Sequence, residues 1–230
     1  MLSTLKNGLP ALGLSLQEDT CKQLCGFGEA VVEQNKVMNL TAITEPDQVA
    51  KLHLLDSLTL LTVQELGGKK MIDVGCGAGF PGVPVKIACP DVQLTLLDSL
   101  GKRMNWLEQI LPTLGVDVEC VTARAEEAVA DRRESYDVAT SRAVARLNIL
   151  LELTAPYVKV GGAVLAMKGM AAEEELAEAK GAIAKLGLKL EKVYKFPVDG
   201  TDHAVILLLK VSPTPAKYPR RYAKIKQAPL

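Results

Sequence analysis

The chain has 230 residues, 48% hydrophobic and 23% charged, the composition of a globular protein able to bury a sizeable core. Lysine plus arginine and aspartate plus glutamate number 27 each, which excludes a globally basic nucleic-acid binder. No apolar run approaches the roughly 18 residues of a membrane span, and residues 1–10 lack the charged start and apolar run of a signal peptide, so a cytoplasmic protein with no membrane partner is expected.

From Leu14 to about Glu65 the apolar residues recur at helical spacing, as in Leu24, Phe27 and Val31 and again in Leu52, Leu55 and Leu58. This predicts an N-terminal helical extension over residues 1–66. Within it, His53 and Asp56 stand three apart, a spacing that lets them pair on one helix face or serve as packing and caps. Asn39, ahead of Leu40-Thr41, reads equally as a turn residue and as a neighbour of the target.

A second domain is predicted over residues 67–211. Short β runs at Lys70–Val74, Gln93–Asp98, Asp117–Thr122, Tyr136–Thr140 and Ala163–Lys168 exchange with helical stretches, which implies a largely parallel α/β sheet covered on both faces. The runs Lys189–Phe196 and Ala204–Val211 are separated by too little chain for a helix and are expected to form an antiparallel hairpin. Glu173–Glu175 opens a predicted helix, where acids suit the dipole. Five scattered cysteines, Cys21, Cys25, Cys76, Cys89 and Cys120, suggest neither a disulfide framework nor a metal site and read as small buried hydrophobes.

The stretch Ile72-Asp73-Val74-Gly75-Cys76-Gly77-Ala78-Gly79-Phe80-Pro81-Gly82 joins the first β run to a helix. Counted from Gly77, its glycines have the spacing of dinucleotide-binding turns, as in an NAD-dependent oxidoreductase. Counted from Asp73, they have that of S-adenosylmethionine (SAM) methyltransferases. Asp98, closing the next β run, suits the ribose hydroxyls of either cofactor. Asp73 before the first glycine, Pro81 near the helix start and the terminal hairpin favour SAM. Ala125 and Glu126 follow the third β run, where they either meet an adenine or simply start a helix. Arg142, after the fourth, stands beside the crevice where such folds bind ligands.

The last segment, residues 212–230, is basic. No acid follows Asp202, whereas Lys210, Lys217, Arg220, Arg221, Lys224 and Lys226 do, so the last 21 residues carry six positive charges. Pro213, Pro215, Pro219 and Pro229 discourage a helix. Two readings stand: a solvated, partly disordered tail, or an arm on phosphates with Tyr218 and Tyr222 stacking on bases, separable from the fold.

Taken together, these residues resemble one family, the bacterial 16S ribosomal RNA guanine-N7 methyltransferases (the glucose-inhibited division protein B family). The likeness rests on Asn39-Leu40-Thr41, His53-Leu54-Leu55-Asp56-Ser57, the glycine loop through Phe80-Pro81-Gly82, Leu96-Leu97-Asp98-Ser99-Leu100-Gly101-Lys102-Arg103, Ser141-Arg142-Ala143 and Met167-Lys168-Gly169. It implies a Rossmann-like seven-stranded fold with an N-terminal helical extension and SAM-dependent methylation of guanine 527 at N7, on 16S ribosomal RNA or the small ribosomal subunit. By motif, Gly75, Gly77, Phe80, Ala125, Glu126 and Arg142 are the implied cofactor contacts, with Asp73 and Asp98. Asn39, Arg103, Lys168, Arg220 and Arg221 are the candidate RNA contacts. No catalytic residue is assigned, because guanine N7 carries a lone pair and no proton, so alignment replaces a general base. The NAD-dependent oxidoreductase and a non-enzymatic RNA-binding module are the remaining alternatives, and a monomer is favoured.

Overall fold

The structure is a computed structural model, and it describes residues 1–198 and 200–230. Helices α1 (Leu2–Gly8), α2 (Glu18–Asn35), α3 (Pro46–Val49), α4 (Asp56–Leu58) and α5 (Leu60–Val63) precede the sheet, with a π-helical stretch, Ala50–Leu55, leading into α4. Then follow β1 (Lys70–Val74), α6 (Gly82–Ala88), β2 (Gln93–Asp98), α7 (Gly101–Thr113), β3 (Glu119–Thr122) and α8 (Ala125–Ala128). The second half comprises β4 (Tyr136–Arg142), α9 (Leu147–Thr154), β5 (Val158–Lys168), α10 (Ala172–Glu178), α11 (Lys180–Lys185), β6 (Leu188–Val198), β7 (Thr201–Lys210) and α12 (Tyr222–Gln227).

The sheet has the order β3-β2-β1-β4-β5-β7-β6. Strands β1 to β5 pair in parallel, whereas β7 runs antiparallel to β5 and β6. The hairpin expected from spacing is therefore present. Its link, expected over residues 197–202, contains Asp199, which lies outside the described residues. Strand β5 begins earlier than alternation suggested, because a register shift between Tyr136 and Val138 admits Gly161 and Gly162 into the strand.

One core fills each face of the sheet. Leu5, Leu24, Phe27 and Leu58 of the N-terminal helices pack with Met71, Val83, Leu96 and Leu107, so this extension shares its core with the sheet. On the other face, Leu147, Leu150 and Leu151 of α9 pack with Tyr157, Ile206 and Tyr218. All five cysteines are free thiols, three buried and two half-buried. Among the described residues no helix is long and apolar enough to cross a membrane.

The last segment corrects the expectation of a separable tail. Residues Tyr222–Gln227 form a helix despite the surrounding prolines, which flank it and do not interrupt it. Tyr218 is buried, Ile225 wholly so. Arg220 donates from its backbone N, Nε and Nη2 to the buried carboxylate of Glu152 on α9, at 2.6–2.8 Å. Arg133 reaches the carbonyls of Thr214 and Tyr218. The segment is a strap across the helical layer.

Candidate active site

Strands β1 to β5 end at one edge of the sheet, where their loops open a cavity of about 1130 Å³. Strand order lays its polar residues out in a row. Ala125 and Glu126 follow β3, Asp98 ends β2, Gly75 follows β1, Arg142 ends β4, and Lys168 ends β5. His203, near the start of antiparallel β7, comes next, and all of these line the cavity.

Gly75 turns the chain at φ +73°, in the left-handed region that disfavours side chains, and a Cβ there would collide with Val144. The N–H groups of Gly75 and Cys76 donate to the Leu97 carbonyl at 2.7 and 3.1 Å, and those of Gly79 and Phe80 to the Cys76 carbonyl at 2.8 and 3.1 Å. Gly77 N–H donates to Asp98 Oδ2 at 3.0 Å. With these donors consumed inside the protein, the loop offers no nest for a pyrophosphate, the feature a dinucleotide requires. A cofactor without phosphate fits it. Asp98 Oδ1 accepts from Leu100 N–H at 2.9 Å, so the carboxylate is held in place at the cavity wall.

Asp73 does not line the cavity. It is fully buried beneath the loop, where Oδ2 accepts the Gly82 N–H at 2.9 Å and Oδ1 has no partner. Burial pushes its carboxyl up to about 7. Its part is to hold the glycine loop against the start of α6.

Arg142 gathers residues from four parts of the chain. Its Nη1 donates to Asp56 Oδ2 at 2.7 Å and the Leu52 carbonyl at 3.0 Å, and Nη2 lies 3.2 Å from His53 Nδ1. Asp56 Oδ1 lies 2.7 Å from His203 Nδ1, and His53 Nε2 lies 2.8 Å from Thr41 Oγ1. His53 and Asp56 thus share Arg142 instead of pairing with each other. Phe80 floors the cluster, its ring stacked on His53 at 4.6 Å with the Arg142 guanidinium 5.3 Å from its centroid. Burial, aided by Arg142, pushes His53 down to about 4 and keeps the imidazole neutral. The bond to Asp56 raises His203 despite its partial burial. Burial opposes the charge on Asp56, yet His203 and Arg142 outweigh it and hold the carboxyl below its usual range.

The candidate RNA contacts divide. Arg103 lines the cavity and donates to the carbonyl of exposed Asn39 at 3.2 Å, tying α7 to the N-terminal extension. Arg221 is exposed. Lys168 is enclosed, paired with Glu175 at 2.8 Å and donating to the Ala145 carbonyl at 2.5 Å. Arg146 is clasped by Glu174 and Glu178. Arg220 is bound to Glu152 and the Ala228 carbonyl. For Lys168 and Arg220 a phosphate contact would require breaking an internal pair, a correction to their reading as free cations. Sequence reasoning missed His203, which carries no local motif, and the placement of Tyr222 in the cavity wall.

This sheet order, with a glycine loop after the first strand and an acid ending the second, defines the class of SAM-dependent methyltransferases. The family model described as rRNA small subunit methyltransferase G matches residues 20–203, and the chain belongs to that family. A relative from Lactobacillus johnsonii, "Ribosomal RNA small subunit methyltransferase G", is 44% identical over 96% of each chain. Another of the same name, from Alkaliphilus metalliredigens, is 42% identical over 98% of this chain and 97% of its own. Among solved structures, M. jannaschii TYW2 in complex with AdoMet superposes with TM-score 0.54 at 13% identity, covering 80% of this chain and 77% of that one. Precorrin-6y C5,15-methyltransferase from Geobacter metallireducens gives 0.52 at 14% identity, over 75% and 92%. These structural likenesses bear on the fold alone.

Proposed function

We propose that this protein transfers a methyl group from SAM to N7 of a guanine in 16S ribosomal RNA, at the position numbered 527. The names of its relatives support the small-subunit substrate. The N7 chemistry rests on one observation: the polar groups around Arg142 are committed to one another. Both oxygens of Asp56 and both ring nitrogens of His53 have partners, so this cluster is built to hold a shape and not to take a proton. Attack by a lone pair needs only that.

SAM supplies the electrophilic methyl group. In this reading Asp98 accepts from the ribose hydroxyls, Ala125 and Glu126 flank the adenine, and Gly75, Gly77 and Phe80 border the remainder, with Arg142 beyond them. Asp73 serves indirectly through the loop. Phe80 and Val144 line the same cavity, and their apolar surface would help exclude water and orient the reacting atoms. Asn39, Arg103 and Arg221 are the proposed RNA contacts, the two arginines meeting phosphate and the exposed Asn39 amide offering a neutral hydrogen-bonding group.

Incubating the protein with radiolabelled SAM and naked 16S RNA, assembled small subunits or partly assembled particles, then mapping the labelled nucleotide, tests the reading. Label at guanine N7 is expected. Label on another atom would overturn the N7 assignment, and tight RNA binding with no transfer would favour a binding module.

A further inference from the structure

The geometry points to Tyr222, on the C-terminal strap, as the residue that completes the adenine end of the cofactor cavity. Tyr222 lines the cavity, although it stands far along the chain from the strand-end loops that form much of its wall. Three contacts carry it there. The Arg220–Glu152 clasp fixes the strap to α9 two residues earlier, and the strap's own helix, α12, packs on α9. Helix α9 in turn packs on α8, whose Ala125 and Glu126 line the same cavity, as does Leu153 of α9. Tyr157 joins the layers by donating its hydroxyl to the Ala125 carbonyl at 2.6 Å. Helix α9 also packs on β4 and β5, and it is through the contact α9 shares with α8 that Tyr222 is assigned to the β3–β2 side of the row.

The ligand chemistry at that end follows from this placement. Asp98 suits ribose hydroxyls, and the walls of the same cavity include Ala123, Ala125, Leu153 and Tyr222. A flat, apolar, aromatic heterocycle is what such walls accept, and an aromatic side chain stacks on a base regardless of its edge pattern. Tyr222 is half-buried, with its ring available and its backbone anchored in a helix, so little ordering accompanies the contact. The strap is thereby part of the cofactor site as well as of the fold.

This inference rests on the proposed cofactor orientation, with adenosine at Asp98. The test measures binding of S-adenosylhomocysteine and of 5′-methylthioadenosine by calorimetry to the full chain and to Tyr222→Ala, Tyr222→Phe and Asp98→Ala. Tyr222→Ala is expected to weaken both ligands by a similar factor, on the order of tenfold, because both carry the adenosine half. Tyr222→Phe keeps the ring and is expected to bind within about twofold of the unsubstituted protein. An unaltered melting temperature in the ligand-free Tyr222→Ala protein shows that the loss is not unfolding. Unchanged affinity in Tyr222→Ala overturns the inference, as does a loss confined to RNA binding. If Asp98→Ala loses affinity while Tyr222→Ala does not, the orientation stands and the tyrosine alone is removed from it. No loss in either variant removes the orientation as well.

Discussion

Gly75 and Asp73 are neighbours in the chain's first βα turn, and the structure separates their roles. Gly75→Val places a β-branched side chain at φ +73° and against Val144, so a fall of at least tenfold in S-adenosylhomocysteine affinity is expected, with a few degrees lost in melting temperature. Calorimetric titration and a thermal melt measure the two effects separately. Asp73 instead predicts a pH effect. Its carboxyl is raised by burial from 3.8 to about 7, so the folded chain holds that proton more tightly than the unfolded chain. Its contribution therefore favours the fold at low pH and is lost progressively as pH rises from about 4 to about 7. Asp73→Asn retains an oxygen for the Gly82 N–H and has no charge to bury. Relative to the unsubstituted protein it should gain stability between pH 5 and 7.5, by on the order of a few kcal/mol in urea unfolding at the two pH values. Equal differences at both would remove the titration from Asp73. Local pattern made Gly75 and Asp98 legible, because a strand, a turn and a following acid lie within one short window. His203 was not legible. It reaches Asp56 from 147 residues away, and in sequence it is only a polar residue at the exposed start of an apolar strand.

At the scale of elements, β1 and β2 were readable because these parallel strands are buried on both faces and show as apolar runs, whereas the edge strand β3 has no buried residue. The strap was not readable, because its order comes from a partner remote in sequence. Six positive charges and four prolines describe a tail equally well whether or not a buried carboxylate waits for one of the arginines. Glu152 sits inside an apolar helix, fully buried, and its charge is tolerable only with Arg220 in place. Arg220→Ala removes the guanidinium and leaves that charge with only the backbone N–H of residue 220, and should cost about 3 to 5 kcal/mol, a loss of roughly 10 °C in melting temperature. Adding Glu152→Gln removes the stranded charge and should recover part of the loss. Failure of the second substitution to recover any would place the strap's anchorage elsewhere, at Tyr218 or Ile225. The π-helical stretch at Ala50–Leu55 was also invisible to a periodicity of 3.6, and it lies where His53 and Asp56 are directed to opposite sides of Arg142.

The molecule as a whole was anticipated as a helical extension, a sheet domain and a tail, yet its cores cross those boundaries. Phe27 contacts Phe80 with ring centroids 5.2 Å apart, and Tyr218 packs among α9 and β7 residues. Extension, sheet and strap are therefore expected to unfold together, in one calorimetric transition whose van't Hoff and calorimetric enthalpies agree. A separate early transition would mark an independently folding part. The same sharing of walls has a consequence for when the protein first becomes competent. The cavity is bounded by residues from Leu40 to Tyr222, so its wall draws on both the N-terminal extension and the strap. Because a chain is made from its N-terminus, every element through β7 must leave the ribosome before that wall closes. The strap is synthesised after the glycine loop and its acid, so a polypeptide translated only as far as β7 holds both without the enclosure around them.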